Sequence, residues 1–247
     1  MPYSTINIFG YSVFCSSISS LDFNTKTLIN TINQNAFVIA EHDKSFREAL
    51  LGSDVLLPDG IGIVAAGAIF YGKRMRKIAG ADLFLHVVEH LNDMNGRCFF
   101  LGSSHNTLDK IRSRLSKEYP NITAGFHSPS YTSEFSEGEN SEMMRVVNTF
   151  RPDVLFVGMT APKQEKWAFQ HKIKLNAKLI CSVGAVFDFY AGTIDRPGKV
   201  WINLGLEWFI RLIREPKRMW RRYLYNGPIF IYLLFKLKIT KRKASNE

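Results

Sequence analysis

The sequence predicts an α/β fold: a Rossmann-like, mostly parallel sheet with helices on both faces, plus a basic amphipathic C-terminal appendage. Two observations carry this expectation. From the middle of the chain onward, short apolar runs alternate with segments of helical periodicity, which requires crossover connections and so parallel strands covered on both faces. The charge is also unevenly placed. Residues 211–247 hold 11 basic and 2 acidic side chains, whereas residues 1–210 hold 21 and 20, so nearly all of the net +10 lies in the tail. The expected division is an α/β domain over 1–198 and the basic, apolar appendage over 199–247. With 247 residues and a hydrophobic fraction of 46%, the chain can build one sizeable core.

Taken in order, Val55-Leu56-Leu57 reads as a buried strand ended by the turn Pro58-Asp59-Gly60, with Gly60 and Gly62 opening a small-residue helix. "RCFFLG" (97–102) is the next strand, and "NTLDKIRSRLSKEY" (106–119) follows as a helix with Leu108, Ile111 and Leu115 at helical spacing. "NITAGF" (121–126) reads as a strand, "HSPSYTSEFSEGEN" (127–140) as a polar loop and "SEMMRVVNTF" (141–150) as a helix. "DVLFVGM" (153–159) and "AKLICSVG" (177–184) are strands either side of the helix "PKQEKWAFQHKI" (162–173), where Pro162 suits the first turn. In the last quarter, Arg214, Arg218, Arg221 and Arg222 lie at i, i+4, i+7 and i+8, so one continuous helix would carry them on one face. The apolar run Ile229–Phe235 is far shorter than the roughly 20 residues a spanning helix needs.

Several function classes are disfavoured. Three widely separated cysteines, Cys15, Cys98 and Cys181, do not make a disulfide framework and suit a reducing cytoplasm. The N-terminus lacks a basic segment followed by an apolar one, so no secretory signal is expected. His86 and His90 have the i, i+4 spacing of a helical metal pair, but no acidic or cysteine partner stands at recognisable spacing. There is no Asp-x-Asp, and Glu137 and Glu139 fall in the expected solvated loop, so no metal site and no bound cofactor are expected.

In parallel sheets, ligands bind at the carboxyl ends of strands, where "PDG", "LGSS" and "GMTAPKQE" all fall. Asp59 is either a turn residue bonding local amides or an acid–base group held beside a substrate. "LGSS", with Gly102, is a strand-to-helix turn whose amides and hydroxyls could hold a phosphate, though ordinary turns look the same. Lys163 and Gln164 at a helix start suit a diphosphate or sugar hydroxyls, and Glu165 there also fits a partner for the helix dipole. Asp188 and Asp195 flank a loop in which Arg196-Pro197 reads as a substrate contact or a rigid turn.

Seven blocks in order, "NTINQNAFVIA", "SDVLLPDGIGIV", "KIAGADLF", "FFLGSS", "RPDVLFVGMTAPKQEKW", "VGAVFDFYAGTIDRPGK" and "LGLEWFIRLIREPKRMWRRY", resemble the WecG/TagA/CpsF glycosyltransferases over about residues 28–225. The resemblance implies inverting transfer of a sugar from a UDP-sugar, which is a substrate and not a cofactor, to a polyprenyl-diphosphate-linked saccharide. The sugar would be a hexose, N-acetylhexosamine or uronic acid, and the product a surface polysaccharide precursor. It implies Asp59 as the base, Thr31, Asn33 and Gln164 as substrate contacts, and C-terminal arginines among Arg214, Arg218, Arg221 and Arg222. Lys77 stands where members usually carry arginine, keeping the charge without the bidentate fork. The implied partners are the donor, the lipid-linked acceptor and the inner membrane surface, with the protein cytoplasmic and peripheral on that face; a homo-oligomer is left open. Two rivals are a nucleic-acid-binding protein using the basic aromatic tail and another nucleotide-dependent enzyme. The tail's bulky aliphatics count against the first, and the missing GxGxxG against the second.

Overall fold

In the computed structural model, residues 3–244 are described. Eight strands form one sheet: β1 (Thr5–Ile8), β2 (Tyr11–Phe14), β3 (Thr27–Ile32), β4 (Val55–Pro58), β5 (Arg97–Gly102), β6 (Thr123–His127), β7 (Val154–Gly158) and β8 (Leu179–Ser182), in the order β1-β2-β4-β3-β8-β7-β5-β6. Every pairing is parallel except the β1–β2 hairpin. That hairpin turns at Phe9 and Gly10, both at positive φ. The expected α/β class and mostly parallel sheet are present.

The helices between strands are α1 (Gln34–Ala40), α2 (Lys44–Leu51), α3 (Ile61–Tyr71), α4 (Gly80–Asp93), α5 (His105–Glu118), α6 (Glu137–Phe150) and α7 (Lys163–His171). After β8 come α8 (Val186–Ala191), α9 (Lys199–Asn203), α10 (Glu207–Arg214), α11 (Pro216–Trp220), a π-helical turn (Arg221–Tyr225) and α12 (Asn226–Ala244).

Successive side chains of a strand point to opposite faces, and both faces here are apolar. On β5, β7 and β8, Cys98, Phe100, Val154, Phe156, Leu179 and Cys181 enter the core beneath α4, α5 and α8. The alternating Phe99, Leu101, Leu155, Val157 and Ile180 enter the core formed with α6 and α7. Burial pushes the Cys98 and Cys181 thiols well above the ordinary thiol range, so both are packing residues.

Two sequence expectations are corrected. Helix α6 begins at Glu137, inside the expected loop, because Ser136 and Glu139 form a reciprocal capping box that starts it a turn early. Glu139 is therefore a capping group. The C-terminal arginines do not share one helix face, because the chain breaks at Glu215, α11 restarts at Pro216, and a π turn follows. A proline cannot donate to the preceding turn, so the i, i+4 phase is lost between Arg214 and Arg218.

The tail folds back onto the sheet domain. Phe230 and Leu234 of α12 are 4% and 5% exposed and join the core of Phe37, Phe46 and Leu56. The Phe230 ring meets Phe37 edge-on at 5.3 Å, and Asn226 donates to Asn35 at 2.8 Å. Four of the seven residues of the Ile229–Phe235 run thus pack on the protein, while Ile231, Tyr232 and Phe235 remain exposed. No helix among the described residues is long and apolar enough to cross a membrane.

Candidate active site

A cavity of about 920 Å³ opens at the carboxyl ends of the parallel strands. Its floor is built from the residues that follow β3, β4, β7 and β8, and its roof from α10, α11 and the π turn of the tail. Of the residues singled out from sequence, it brings together Thr31, Asn33, Asp59, Lys77, Gln164, Arg218, Arg221 and Arg222.

Asp59 is placed by the ends of two paired strands. Ile32 lies opposite Pro58 in the β3–β4 register, and the Asp59 amide donates to the Ile32 carbonyl at 2.9 Å. Gly60 then turns the chain at φ +122°, a region closed to most side chains, and a Cβ there would meet the Gln34 Oε1 at 3.0 Å. Burial raises the Asp59 pKa above the ordinary carboxylate value. Arg222, Lys77 and Arg211 pull it back, and Glu207 pushes it further up. A carboxyl so poised can accept a proton from a bound hydroxyl.

Lys77 is held next to this turn because the Ile78 amide donates to the Pro58 carbonyl at 3.0 Å. Its ammonium ion-pairs with Glu207 of α10 at 2.7 Å, and the Arg196 guanidinium lies 3.9 Å from the same carboxylate. Burial works against the Glu207 charge, yet Lys77, Arg196 and Arg211 together hold its pKa below the usual value. The tail is therefore fastened to the cavity rim by charge as well as by apolar packing.

Asn33 caps α1, its Oδ1 accepting from the Ala36 amide at 3.0 Å, which leaves its amide nitrogen and one Oδ1 lone pair for a ligand. Gln164 is buried at the start of α7, where its Oε1 accepts from the Met159 amide at 3.2 Å and its Nε2 donates to Glu165 at 2.8 Å. The neighbouring Lys163 also lines the cavity, where it donates to the Thr132 carbonyl at 2.6 Å and lies over the Phe135 ring. Pro162 stands as the cap before α7 and not within its first turn.

Gly102 and Arg214 are not brought to the cavity. Gly102 lies where β5 and β7 converge, at φ +119°, and a Cβ there would sit 2.5 Å from the Gly158 carbonyl oxygen. Its role is close backbone packing, and the following Ser103 and Ser104 reach the wall instead. The Ser104 hydroxyl is engaged as the cap of α5. Arg214 ends α10 with its guanidinium 3.5 Å from the Asp195 carbonyl oxygen.

Arg211, one turn earlier, lines the cavity in Arg214's stead, with its guanidinium 5.3 Å from the Phe189 ring centre. Helical spacing could have found it, since Arg211 precedes Arg214, Arg218 and Arg222 by 3, 7 and 11 residues and so shares their expected face. Arg196, Glu207 and Asp188 also reach the wall. Asp188 is raised by burial and pulled back by Arg218.

His86 and His90 meet Phe23 as tilted rings, with centres 6.2 and 3.9 Å away, and so serve as residues of a helix face. Among the described residues, no three His, Cys, Asp or Glu side chains gather as a metal-binding group.

A mostly parallel α/β sheet with a cavity at its strand ends, lined by a carboxylate of raised pKa and by cations of the tail, has the form of an enzyme-type site. More particularly, the chain belongs to the glycosyl transferase WecG/TagA/CpsF family, whose model matches residues 6–244. It is 29% identical over 245 residues to an N-acetylglucosaminyldiphosphoundecaprenol N-acetyl-beta-D-mannosaminyltransferase of Bacillus subtilis, covering 99% of this chain and 92% of that protein. A Staphylococcus aureus protein of the same name is 25% identical, with 97% and 95% covered. One from Bacillus spizizenii is 28% identical, with 83% and 77% covered.

Proposed function

We propose that this glycosyltransferase moves a sugar from a UDP-sugar to a polyprenyl-diphosphate-linked saccharide with inversion, and that Asp59 is the general base. The observation that carries the reading is the placement of Asp59, a half-buried carboxyl of raised pKa lining a cavity with Lys77 beside it and Arg211, Arg218, Arg221 and Arg222 supplied by the tail. The acceptor hydroxyl attacks the anomeric carbon as Asp59 takes its proton. The bond from that carbon to the UDP oxygen breaks, and UDP leaves with the electron pair. The cations offset the charge that builds on the departing diphosphate, which supports transfer without a divalent metal. Thr31, Asn33 and Gln164 position the substrates. The relatives' names favour an N-acetylmannosaminyl donor and an N-acetylglucosamine-diphosphate lipid acceptor.

The lipid-linked acceptor calls for contact with the inner membrane surface. The tail offers exposed Trp201, Leu204, Ile213, Leu224 and Tyr232 among its cations for that contact. Basic residues near an anionic surface contribute about 1 kcal/mol each, so a few engaged together hold a protein peripherally.

The test offers a panel of UDP-sugars, including UDP-N-acetylmannosamine, with a short-chain polyprenyl-diphosphate N-acetylglucosamine acceptor, and reads the lipid product by mass spectrometry. Asp59→Asn keeps the turn but cannot take a proton, so kcat should fall roughly 10²–10⁴-fold while UDP binding changes little. Near-normal kcat in that variant would remove Asp59 as the base.

A further inference from the structure

We propose that Glu165 is a positioning residue whose carboxyl, buried in the cavity wall, fixes the direction in which the Gln164 carboxamide faces the donor. The proposal rests on the nucleotide-sugar reading above. Its basis is the bonding logic of three adjacent groups. A backbone amide can only donate, so the 3.2 Å contact from the Met159 amide assigns the near atom of Gln164 as Oε1. The nitrogen must then point the other way, where it meets the Glu165 Oε1 at 2.8 Å. With Glu165 as acceptor the carboxamide has one orientation. Without an acceptor there, only the Met159 bond holds it.

What the amide keeps free is one Nε2 hydrogen and one Oε1 lone pair. Gly184 lies against it at φ +57°, and a Cβ there would sit 3.4 Å from Nε2 and 3.6 Å from Oε1. A side chain at that position would cover the amide, and glycine leaves it open. Gly184 and Gln164 both line the cavity.

Glu165 is 3% exposed, and its second oxygen, Oε2, is buried with no hydrogen-bond partner among the described residues. The nearby charges are otherwise engaged or distant. On its own helix Lys166 pairs with Asp43, the cap of α2, and Lys163 bonds the Thr132 carbonyl, while Arg222 of the π turn acts on it only through its field. An anion with one oxygen unpaired is costly to bury, so burial favours the protonated carboxyl, with the proton on Oε2 and Oε1 left as the acceptor. Burial accordingly raises its pKa to about 7, with the Gln164 bond and Arg222 opposing.

Glu165→Met fills the volume without a comparable acceptor, and Glu165→Gln keeps an acceptor oxygen. The first should raise the donor KM about ten-fold, as expected for losing one ordered hydrogen bond, with a smaller effect on kcat. Gln164→Ala should do the same, and the double variant should be no worse than Gln164→Ala alone, since both changes break one unit. Glu165→Gln should restore near-normal KM. A purely structural role for Glu165 would give additive effects. Independently of turnover, the Gln164 side-chain amide signal in 15N NMR of the unliganded protein should shift in Glu165→Met and stay in place in Glu165→Gln. A Gln164 signal unmoved in Glu165→Met, or additive KM effects, overturns the proposal. If wild type transfers none of the offered sugars, the nucleotide-sugar reading fails, and the NMR result alone decides whether Glu165 sets the amide.

Discussion

Replacing Glu165 by glutamine should change how the stability of the protein depends on pH. In the unfolded chain this carboxyl loses its proton around 4.5, and in the folded protein it does so at about 7. Between those values the folded state holds a proton that the unfolded state has released, so stability falls as pH rises through the window. The loss is complete above about pH 7. Each tenfold change in proton affinity is worth about 1.4 kcal/mol, so the displacement costs the wild type about 3 kcal/mol at pH 8 relative to pH 4. Glu165→Gln is neutral at every pH and escapes that cost. Urea unfolding of both proteins at intervals from pH 4.5 to 8 reads the difference directly, because the other titrating groups cancel in it. The variant should match wild type at the acid end and exceed it by about 3 kcal/mol at pH 8, with a melting temperature higher by roughly 6–10 °C. A difference that stays constant across the range would show that Glu165 is ionised in the folded protein and would refute the reasoning.

Gly102→Ala should destabilise by about 1–3 kcal/mol in chemical unfolding, since its Cβ has no room against the Gly158 carbonyl, while the donor KM of the folded fraction stays near wild type. A large KM increase without loss of stability would return Gly102 to the binding site. Ile231→Ser, Tyr232→Ser and Ile239→Ser together should weaken flotation with anionic vesicles and spare turnover of a short-chain acceptor, because all three are exposed on α12. Equal vesicle binding would place the membrane contact elsewhere. Chelator treatment should leave turnover intact, and a loss restored by Mg²⁺ or Mn²⁺ would show that the cations of the tail do not suffice for the leaving group.

The central strands, the helices between them and the strand-end location of Asp59 and Gln164 were legible because burial on both sheet faces writes continuous apolar runs into the sequence. The start of α6 was missed because its first turn is polar, and the capping box is a two-residue signal inside a polar stretch. The β1–β2 hairpin and β3 carry weaker patterns. Among the arginines, composition announced a cationic tail but not which side chains would reach the cavity, since that depends on helix phase and the phase is reset at Glu215-Pro216.

Fold class, the strand-end turn that carries Asp59 and the cationic character of the tail are legible in the chain, because periodicity, turn chemistry and charge are local properties. Tertiary packing sets the rest: Lys77 faces Glu207, Arg211 takes the place expected of Arg214, Gly102 serves packing, and Glu165 closes a hydrogen-bond chain behind Gln164. The first two depend on how α10 to α12 fold back over the sheet, and the third on how closely β5 and β7 pair, so they join residues far apart in sequence. Glu165 bonds its own neighbour, but the burial that gives that bond its weight comes from the surrounding fold.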